Sequence, residues 1–451
     1  MSRRHEKLSL GAFLLFTGHH VAAWRHPDAS DSQHFADFAR FAAIAEQAKF
    51  DAVFLADIVG VRTDDLAAQS RKAHSGVYPF EPLTLLSALS VSTSRIGLVA
   101  TTSTSFTEPF NLARQFASLD LLSGGRAGWN LVTSTEPAAA LNFGHAALIP
   151  HAERYARAEE FVDVVQGLWD SWEADAFVRN REQGVYFDPD KLHVLDHRGK
   201  HFRVRGPLNI PPSPQGRPVV VQAGSSEPGK ELAARTAEVI FTAQQTLAEA
   251  VAFYADVKGR LAKYGRAAED IKILPGVFPV VGRTEAEARD KFEQLQGLIP
   301  PEVGLGLLAS FLGDPDIVHH PADGPVPPLK ETEGGKSRQA LLVELARREN
   351  LTLRDLYLRI AGARGHWQVV GTPTQIADQL EERFRAYGAD GFNIMAPVLP
   401  GGLTDFVELV LPELRRRNLF RTEYEGKTLR EHLGLKRPAN ALAGRRAVAA
   451  E

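Results

Sequence analysis

A chain of 451 residues that is 44% hydrophobic and 24% charged has the composition of a globular enzyme, and its length suits two domains or one large α/β barrel with insertions. The formal net charge of −3 gives no indication that the protein binds a nucleic acid or an anionic membrane, because such proteins carry an excess of positive charge. Because the chain has 0 cysteines, disulfides, thiolate nucleophiles and Cys-ligated metal centres are excluded. No run approaches the ~20 apolar residues of a membrane span. No convincing cleavage site follows the early run LSLGAFLLF, so we interpret it as a core strand and expect a cytoplasmic protein.

Short apolar runs alternate with amphipathic helical segments along most of the chain. The runs predict eight strands, at 8–16, 51–57, 95–104, 124–134, 217–224, 237–243, 271–282 and 390–397. The helical segments lie at 34–50, 83–93, 111–124, 151–173, 228–237, 246–264, 284–297, 373–387 and 403–418. Eight strand–helix units in this order predict an α/β fold, the (β/α)8 TIM barrel. A doubly wound sheet is the alternative, but none of the first three strands is followed by the turn G-x-G-x-x-G.

Two segments interrupt this alternation within what we expect to be a single barrel domain over residues 1–437. Residues 174–216 predict an irregular insertion with short β pieces. Residues 298–365 are rich in proline, glycine and charge, with a helical stretch near 338–361, and they are our candidate for a lid over the barrel mouth. We expect the tail, 438–451, to be flexible.

Polar residues follow several predicted strands, at the end of the barrel where active sites of this fold lie. Strand two ends in Asp57, and strand three runs into Thr101–Ser105. Strand four, in GGRAGWNLVTS, carries Asn130 and ends in Thr133 and Ser134. The carboxyl ends of parallel strands meet at one face, so these side chains are candidates for contact with a ligand.

The end of the fifth strand, QAGSSEPGKELAARTAE, places Ser225 and Ser226 before Pro228 and a helix. Proline suits the first helical position and serine the cap before it, and the free N–H groups there can bind a phosphate. An ordinary serine cap is the alternative. His151 and Tyr155 lie at i and i+4 on one helix face and could point to the same ligand, although a solvent-exposed cap region with a half-buried tyrosine is the plainer interpretation.

The pairs His19-His20 and His319-His320 raise the question of a metal site. Adjacent residues of a strand point to opposite faces, so such pairs rarely bind one ion. We therefore expect no metal. The sequence also lacks the G-x-S-x-G elbow, which argues against an α/β-hydrolase.

Seven ordered stretches of the chain resemble one enzyme family. Among them are AAWRHPDA, LDLLSGGRAGWNLVTS, GKHFRVRGPLNIPPSPQGRPVVVQAGSSEPG and DGFNIMAPVLP. From about residue 8 to 437 the chain resembles the nitrilotriacetate monooxygenase / pristinamycin synthase A / dibenzothiophene sulfone monooxygenase family of bacterial luciferase-like enzymes. The resemblance implies a TIM barrel that binds reduced FMN (FMNH2), reacts it with O2 through a peroxyflavin and oxygenates an organic substrate. It also implies a separate NAD(P)H:flavin reductase and a homodimer or homotetramer.

The resemblance further implies roles for individual residues. Carried over position by position, the residues implied as FMN ligands are Asp57, Thr104, His151, Tyr155 and Ser226. Ser225 directly precedes Ser226, and Asn130 is implied as a residue that lines the floor of the same site. The two serines, Tyr155 and His151 fit the ribityl phosphate, while Asp57 and Thr104 fit the isoalloxazine end. His20 is implied as the residue that orients or protonates the oxygenated intermediate, with an ordinary strand-end histidine as the alternative.

The substrate-facing wall departs from the family pattern. Where we expect a lid sequence such as YDLDGPLP, the chain has VHHPADGPVP. Phe13, Phe16, Phe54 and Trp24 at the pocket entry favour a hydrophobic or aromatic substrate. Two other functions stay open: a luciferase-like flavin or F420 dehydrogenase without oxygenation, and a metal-dependent barrel hydrolase or lyase.

Overall fold

Eight parallel strands form a closed barrel in the computed structural model, which describes residues 6–31, 33–61, 63, 66–73, 77–329 and 336–443. The strands are β1 (Ser9–Phe13), β2 (Ala52–Leu55), β3 (Gly97–Ser103), β4 (Ala127–Val132), β5 (Val219–Ala223), β6 (Val239–Thr242), β7 (Lys272–Val281) and β8 (Gly391–Ile394). Each strand pairs with the next, and β8 pairs with both β7 and β1. The eight predicted strands and the TIM barrel are therefore confirmed, and the open doubly wound sheet is excluded because the sheet closes on itself.

Helices surround the barrel. They are Phe35–Gln47, Leu66–Gln69, Pro82–Ser92, Pro109–Leu122, Pro137–Asn142, His151–Trp169, Glu227–Thr236, Leu247–Arg260, Glu285–Gly297, Pro301–Leu312, Lys336–Glu349, Leu353–Ala361, Pro373–Arg385, Gly401–Asp405, Leu411–Arg416 and Leu429–His432, with a π-helical turn at Phe406–Val410. Several begin at a side-chain cap: Thr246 and Thr372 form capping boxes with residues three positions later. The nine predicted helical segments are present, the last as two short helices joined by the π turn.

The strands bury both faces, because helices cover the outside while side chains fill the inside. On β4, Trp129 points outward and packs against Phe116, Phe161 and Trp169 with ring centroids 5.9–6.2 Å apart. Gly128, one residue earlier, faces the barrel interior, where an added Cβ would lie 3.0 Å from Val99. This alternation explains why the strand reads as an apolar run interrupted by small and polar residues.

The helix Leu429–His432 closes the amino-terminal end of the barrel, and we call residues 429–433 the stopper. Leu429 fits against Gly128, where a Cβ would lie 3.2 Å from its side chain. Arg430 is buried and forms an ion pair with Glu238, and its Nε donates to the backbone oxygen of Gln215 at 3.1 Å. The arginine holds the pKa of Glu238 below its usual value despite burial.

The two segments that we predict to be insertions differ in structure. Residues 174–216 contain the 3-10 turn Pro189–Lys191 and a hairpin of His197–Arg198 with Arg203–Val204. The segment 298–365 carries the unpredicted helix Pro301–Leu312 besides the two helices of its second half. These helices share an apolar core that includes Leu308 and Tyr357. The helix escaped notice because proline- and glycine-rich flanks dominate the segment, although Pro301 and Gly313 mark its start and end.

The last residues of the chain are held in part. Asn440 donates to the backbone oxygen of Asp170 at 2.9 Å, and the Ala441 N–H donates to the Asp170 carboxylate at 3.1 Å. These bonds attach the first part of the segment 438–451, for which we predict flexibility, to the helix end at Asp170. Residues 444–451 lie outside the described residues.

Candidate active site

Aromatic side chains from three strands form a layer inside the carboxyl end of the barrel. Phe13, Phe54 and Phe241, which we call the aromatic layer, have ring centroids 4.8–5.6 Å apart. The His366 ring stacks on Phe241 at 4.8 Å. Gly276 makes room for this stack, because a Cβ there would lie 2.6 Å from His366 Nδ1. The mouth of the barrel consequently has an apolar aromatic floor.

A hydroxyl-rich corner lies beside the mouth, at the start of the helix Glu227–Thr236. Ser226 is the N-cap of this helix and accepts the Gly229 N–H at 3.3 Å. The Ser226 hydroxyl also donates to the Tyr155 hydroxyl at 3.3 Å. An added Cβ on Gly229 would lie 3.0 Å from both hydroxyl oxygens, so only glycine leaves this corner open. The positive end of the helix dipole next to two hydroxyls forms a site suited to an anion.

The structure brings two further predicted residues to this corner. The His151 ring lies 4.8 Å from the Tyr155 ring and is exposed to solvent, so it stands at the outer rim. Ser225 is exposed and directly precedes the N-cap. The spacing of His151 and Tyr155 places both on the helix face that we predicted.

Asp57 lies at the carboxyl end of β2 with its carboxylate partly buried. Burial, together with the nearby negative charge of Glu81, raises the pKa of Asp57 to about 6. Glu81 is itself occupied, because its carboxylate caps the helix Pro82–Ser92 by accepting two backbone N–H groups at 2.8 Å. Asp57 is thus an acid at the barrel mouth that ionises near neutrality.

Thr104 and Asn130 lie on neighbouring strands but at different levels. The Thr104 hydroxyl donates to the Val132 backbone oxygen at 3.2 Å, which ties the end of β3 to β4. Asn130 faces the interior and donates from Nδ2 to the Thr101 hydroxyl at 2.8 Å. Its Oδ1 is buried and has no hydrogen-bond partner within the described residues. A buried acceptor of this kind calls for a ligand donor.

The two adjacent histidines after β1 have different surroundings. His20 Nδ1 accepts the Ala22 N–H at 3.2 Å, so Nε2 carries the hydrogen and donates to Gln296 Oε1 at 3.1 Å. Gln296 in turn donates to the Leu358 backbone oxygen at 2.8 Å. Burial lowers the pKa of His20 to about 4. Nδ1 of His20 is therefore used in the local turn at Ala22, while Nε2 connects the end of β1 through Gln296 to Leu358 of the 298–365 insertion, and the geometry gives this residue a positioning role.

His19 was missed by the sequence reasoning as a functional candidate. Its ring lies 4.4 Å from Phe13 of the aromatic layer, and its Nε2 donates to the Phe13 backbone oxygen at 3.1 Å. Nδ1 is buried and lacks a partner in the described part of the chain. Burial, aided by the positive charge of Arg364, holds the pKa of His19 well below its usual value. A neutral imidazole thus presents a free lone pair beside the layer.

These features fit FMN on grounds of donor chemistry and shape. The corner at Ser226 and Tyr155 supplies hydroxyl and backbone donors for a phosphate. The aromatic layer supplies an apolar surface for a planar ring. Asn130 Oδ1 supplies an unpaired acceptor at the level of the mouth. Among the residues that the structure describes, no group of three or more His, Cys, Asp or Glu side chains is arranged to hold a metal ion.

Comparison with known proteins decides the family. Residues 12–391 match the model of the family described as luciferase-like monooxygenase. The chain belongs to this family. This luciferase-like monooxygenase is 52% identical to N-acetyl-S-(2-succino)cysteine monooxygenase of Bacillus subtilis, covering 98% of this chain and 100% of that protein. It is 51% identical to nitrilotriacetate monooxygenase component A of Aminobacter aminovorans, and the match covers 97% of this chain and 99% of that protein.

Solved structures agree with the fold of this luciferase-like monooxygenase. DmoA from Hyphomicrobium sulfonivorans superposes with a TM-score of 0.89 at 30% identity, covering 98% of each chain. Riboflavin lyase (RcaE), solved with modified FMN and riboflavin, gives a TM-score of 0.85 at 34% identity, covering 96% of this chain and 97% of that one.

These relatives confirm several predictions for this luciferase-like monooxygenase. The resemblance, the flavin-dependent monooxygenase activity and the use of reduced FMN with O2 are confirmed. The nitrilotriacetate enzyme is named as one component of a larger system, so a partner protein is expected here as well. Among the described helices, none alone is long and apolar enough to cross a membrane, although the bent pair Glu285–Gly297 and Pro301–Leu312 meets that test jointly.

Proposed function

We propose that this enzyme oxygenates a small organic substrate at the barrel mouth, with FMNH2 delivered by a separate NAD(P)H:flavin reductase. The observation that carries the proposal is the phosphate corner of Ser226 and Tyr155 beside the aromatic layer. The corner suits the charged end of FMN and the layer suits its ring. We further propose that the enzyme works in the cytoplasm as a homodimer or homotetramer.

Each predicted ligand has a role in this proposal. Ser226 and Tyr155 donate hydroxyl hydrogens to the phosphate, with Ser225 and His151 at its solvent side. Asp57, Thr104 and Asn130 border the ring. At a pH above its pKa of about 6, the Asp57 carboxylate is ionised and can accept a ring N–H. Thr104 acts chiefly by fixing the junction of β3 and β4, because its hydroxyl is already bonded to Val132.

Reduced FMN, when bound, supplies the electrons that activate O2. The protein's own task is to keep water away and to handle protons. Phe13, Phe54 and Phe241 exclude water from the floor. His19 Nδ1 is the unpaired base at this floor, so we assign to it the proton-handling role that the family resemblance implies for His20.

The 298–365 insertion is our proposed lid. The bonds from His20 through Gln296 to Leu358 join the end of β1 to the helix Leu353–Ala361 of the insertion. A movement of that helix is therefore transmitted to the loop that carries His19. Closure would shield the mouth during the reaction.

Two observations point to different classes of substrate. The aromatic layer favours the hydrophobic or aromatic substrate that we predicted. Trp24 does not line this layer, since it is exposed and donates to the Arg71 backbone oxygen at 3.1 Å. The two relatives above 50% identity are named for substrates that carry carboxylates. A substrate panel should therefore pair aromatic sulfones with aminopolycarboxylates and S-(2-succino) thioethers.

The phosphate corner is tested by Ser226→Asp. Aspartate is also a good N-cap, so the helix and the stability of the fold should be retained. Two like charges ~4 Å apart near a surface repel by about 4 kcal/mol before salt screening, so FMN affinity should fall at least about tenfold. Binding is measured by the change in flavin fluorescence on titration.

Two controls make this test specific. Riboflavin lacks the phosphate, so its affinity should be nearly the same for wild type and Ser226→Asp. Thr284→Asp places the same charge at the N-cap of another helix, Glu285–Gly297, and should leave FMN binding unchanged. Equal FMN affinity of Ser226→Asp and wild type would mean that the phosphate binds elsewhere.

A further inference from the structure

A cavity lies inside the barrel, directly beneath the aromatic layer. It measures about 40 Å³. Phe54 and Phe241 of the aromatic layer form part of its wall, Val99, Val221 and Leu274 contribute from the strands, and Leu433 of the stopper closes it below. The cavity is thus separated from the candidate flavin site by two aromatic rings.

Small residues on the strands create this space. TIM-barrel interiors are generally filled by layers of Val, Ile and Leu, but β1 and β2 place Gly11 and Ala52 in the lining. Gly128 of β4 lies next to two other lining residues, Val99 and Leu429. Leu429 and Leu433 of the stopper fill the space only in part. At Gly11 a Cβ would lie 2.7 Å from Asn393 Oδ1, so a larger residue there would require the Asn393 side chain to move. The glycine and the alanine thus leave part of the barrel interior unfilled.

The lining is unsuitable for water. A buried water forms two to four hydrogen bonds, and cavities that lack such partners stay dry and bind apolar atoms such as xenon. Asn393 Oδ1 borders the cavity and has no partner within the described residues. Asp51 also borders it, but its carboxylate already accepts the Leu10 N–H at 2.6 Å and an Arg421 hydrogen at 2.6 Å. Both polar side chains expose almost nothing to the cavity, whose surface is nearly all apolar, so a water inside it would lack hydrogen-bond partners, whereas the volume accommodates a diatomic molecule.

We propose that this cavity holds molecular oxygen, the co-substrate, beneath the flavin. The inference rests on the proposed function, because only an enzyme that reacts reduced flavin with O2 at the mouth has a use for such a store. Oxygen is small and apolar, and it partitions into dry apolar cavities as xenon does. Rotation of the Phe54 or Phe241 ring would open the path from the cavity to the site above. Binding involves no chemical change of the gas.

Xenon tests the cavity without any flavin. We expect saturable xenon binding to the wild-type protein by 129Xe NMR. The double variant Val99→Ile, Val221→Ile adds two methylenes to the lining and should abolish it. Val220→Ile makes the same change one residue away on β5, where the side chain packs outside the barrel, and should retain xenon binding. Absence of a xenon signal from the wild type overturns the proposal.

Oxygen kinetics test the assignment of the gas. The oxidation of protein-bound FMNH2 is followed by stopped flow at several O2 concentrations, with FMN affinity measured in parallel. The filled double variant should lose at least about threefold in the second-order rate constant for O2, while Val220→Ile matches wild type and FMN affinity stays the same. Xenon binding with an unchanged oxygen rate overturns the assignment. Xenon binding without flavin binding overturns the proposed function and the oxygen assignment together, whereas flavin binding without xenon overturns the cavity proposal alone.

Discussion

Replacing Asp57 by Asn should stabilise the enzyme at neutral pH and have little effect in acid. Burial and Glu81 raise the pKa of Asp57 from 3.8 to about 6. At 1.36 kcal/mol per unit, this shift corresponds to at most about 3 kcal/mol of lost stability once the carboxyl ionises. The carboxylate keeps some contact with solvent, which screens the effect, so we expect a gain of about 1–2 kcal/mol for Asp57→Asn.

The sign follows from proton linkage. The pKa of Asp57 is higher in the folded than in the unfolded chain, so the folded state holds this proton more tightly. The stability due to the proton is present below the unfolded pKa of 3.8 and is lost as the pH rises through about 6. Asparagine has no proton to lose. The advantage of the variant should reach about half its full size near pH 5 and level off above pH 7.

Urea unfolding at pH 5, 6, 7 and 8 measures this advantage as the difference in the free energy of unfolding. Asp290→Asn, at an exposed aspartate on the helix Glu285–Gly297, makes the same substitution away from the barrel mouth and is the matched control. An advantage of equal size at pH 5 and pH 8 would refute the assignment to the carboxylate charge. Asp57→Asn should also bind FMN more weakly, because it lacks the carboxylate that we propose as an FMN ligand. A gain in stability with a loss of function is common at active sites.

Two further substitutions test the packing on either side of the barrel. Gly276→Ala should destabilise the protein by about 1–3 kcal/mol and alter its near-UV circular dichroism, because the new methyl group would lie 2.6 Å from His366 Nδ1; a variant with wild-type stability and spectrum would contradict the described stack. Arg430→Ala should lower the free energy of unfolding by about 3–5 kcal/mol, measured in urea, because Glu238 would stay buried without its counter-charge. A loss below about 1 kcal/mol would show that Glu238 finds another partner.

The barrel was predictable because its signal is repeated. Each strand–helix unit gives the same alternation, so an error at one boundary leaves the count of eight intact. The strand Trp367–Gly371 has no such support. Among the described residues it pairs only with Val277–Val281, the half of β7 that continues beyond its pairing with β8, and it adds no ninth unit to the barrel. A five-residue strand that pairs with one neighbouring strand does not show the repeated strand–helix alternation from which we predicted the barrel.

The phosphate corner was predictable for a local reason. A serine cap, a proline and a glycine within five residues fix the start of the helix Glu227–Thr236, and the same residues determine where Ser226 points. Tyr155 reaches it because His151–Trp169 is a regular helix whose register the sequence specifies. Local rules therefore sufficed to place Ser226 beside Tyr155.

The choice between His19 and His20 was not predictable in this way. Gly18, between the end of β1 and these residues, has a φ of +131°, and this turn decides which ring faces the aromatic layer. His20 finds its partner in Gln296, 276 residues further along the chain. No short pattern contains either fact. The aromatic layer itself also depends on the register of three strands, which only the closed barrel defines.

The stopper couples closure of the barrel to the order in which the chain is synthesised. Glu238, Gly97 and Gly128 belong to strands and turns made long before residues 429–433 emerge from a ribosome. Until then the lower opening is unsealed, and a carboxylate destined for the interior lacks its cation. A nascent chain can assemble all eight strands and still be unable to exclude water from its centre. When the stopper packs, Leu429 fills the space next to Gly97 and Gly128, and Arg430 pairs with Glu238. The core is therefore complete only after the whole barrel sequence has been synthesised.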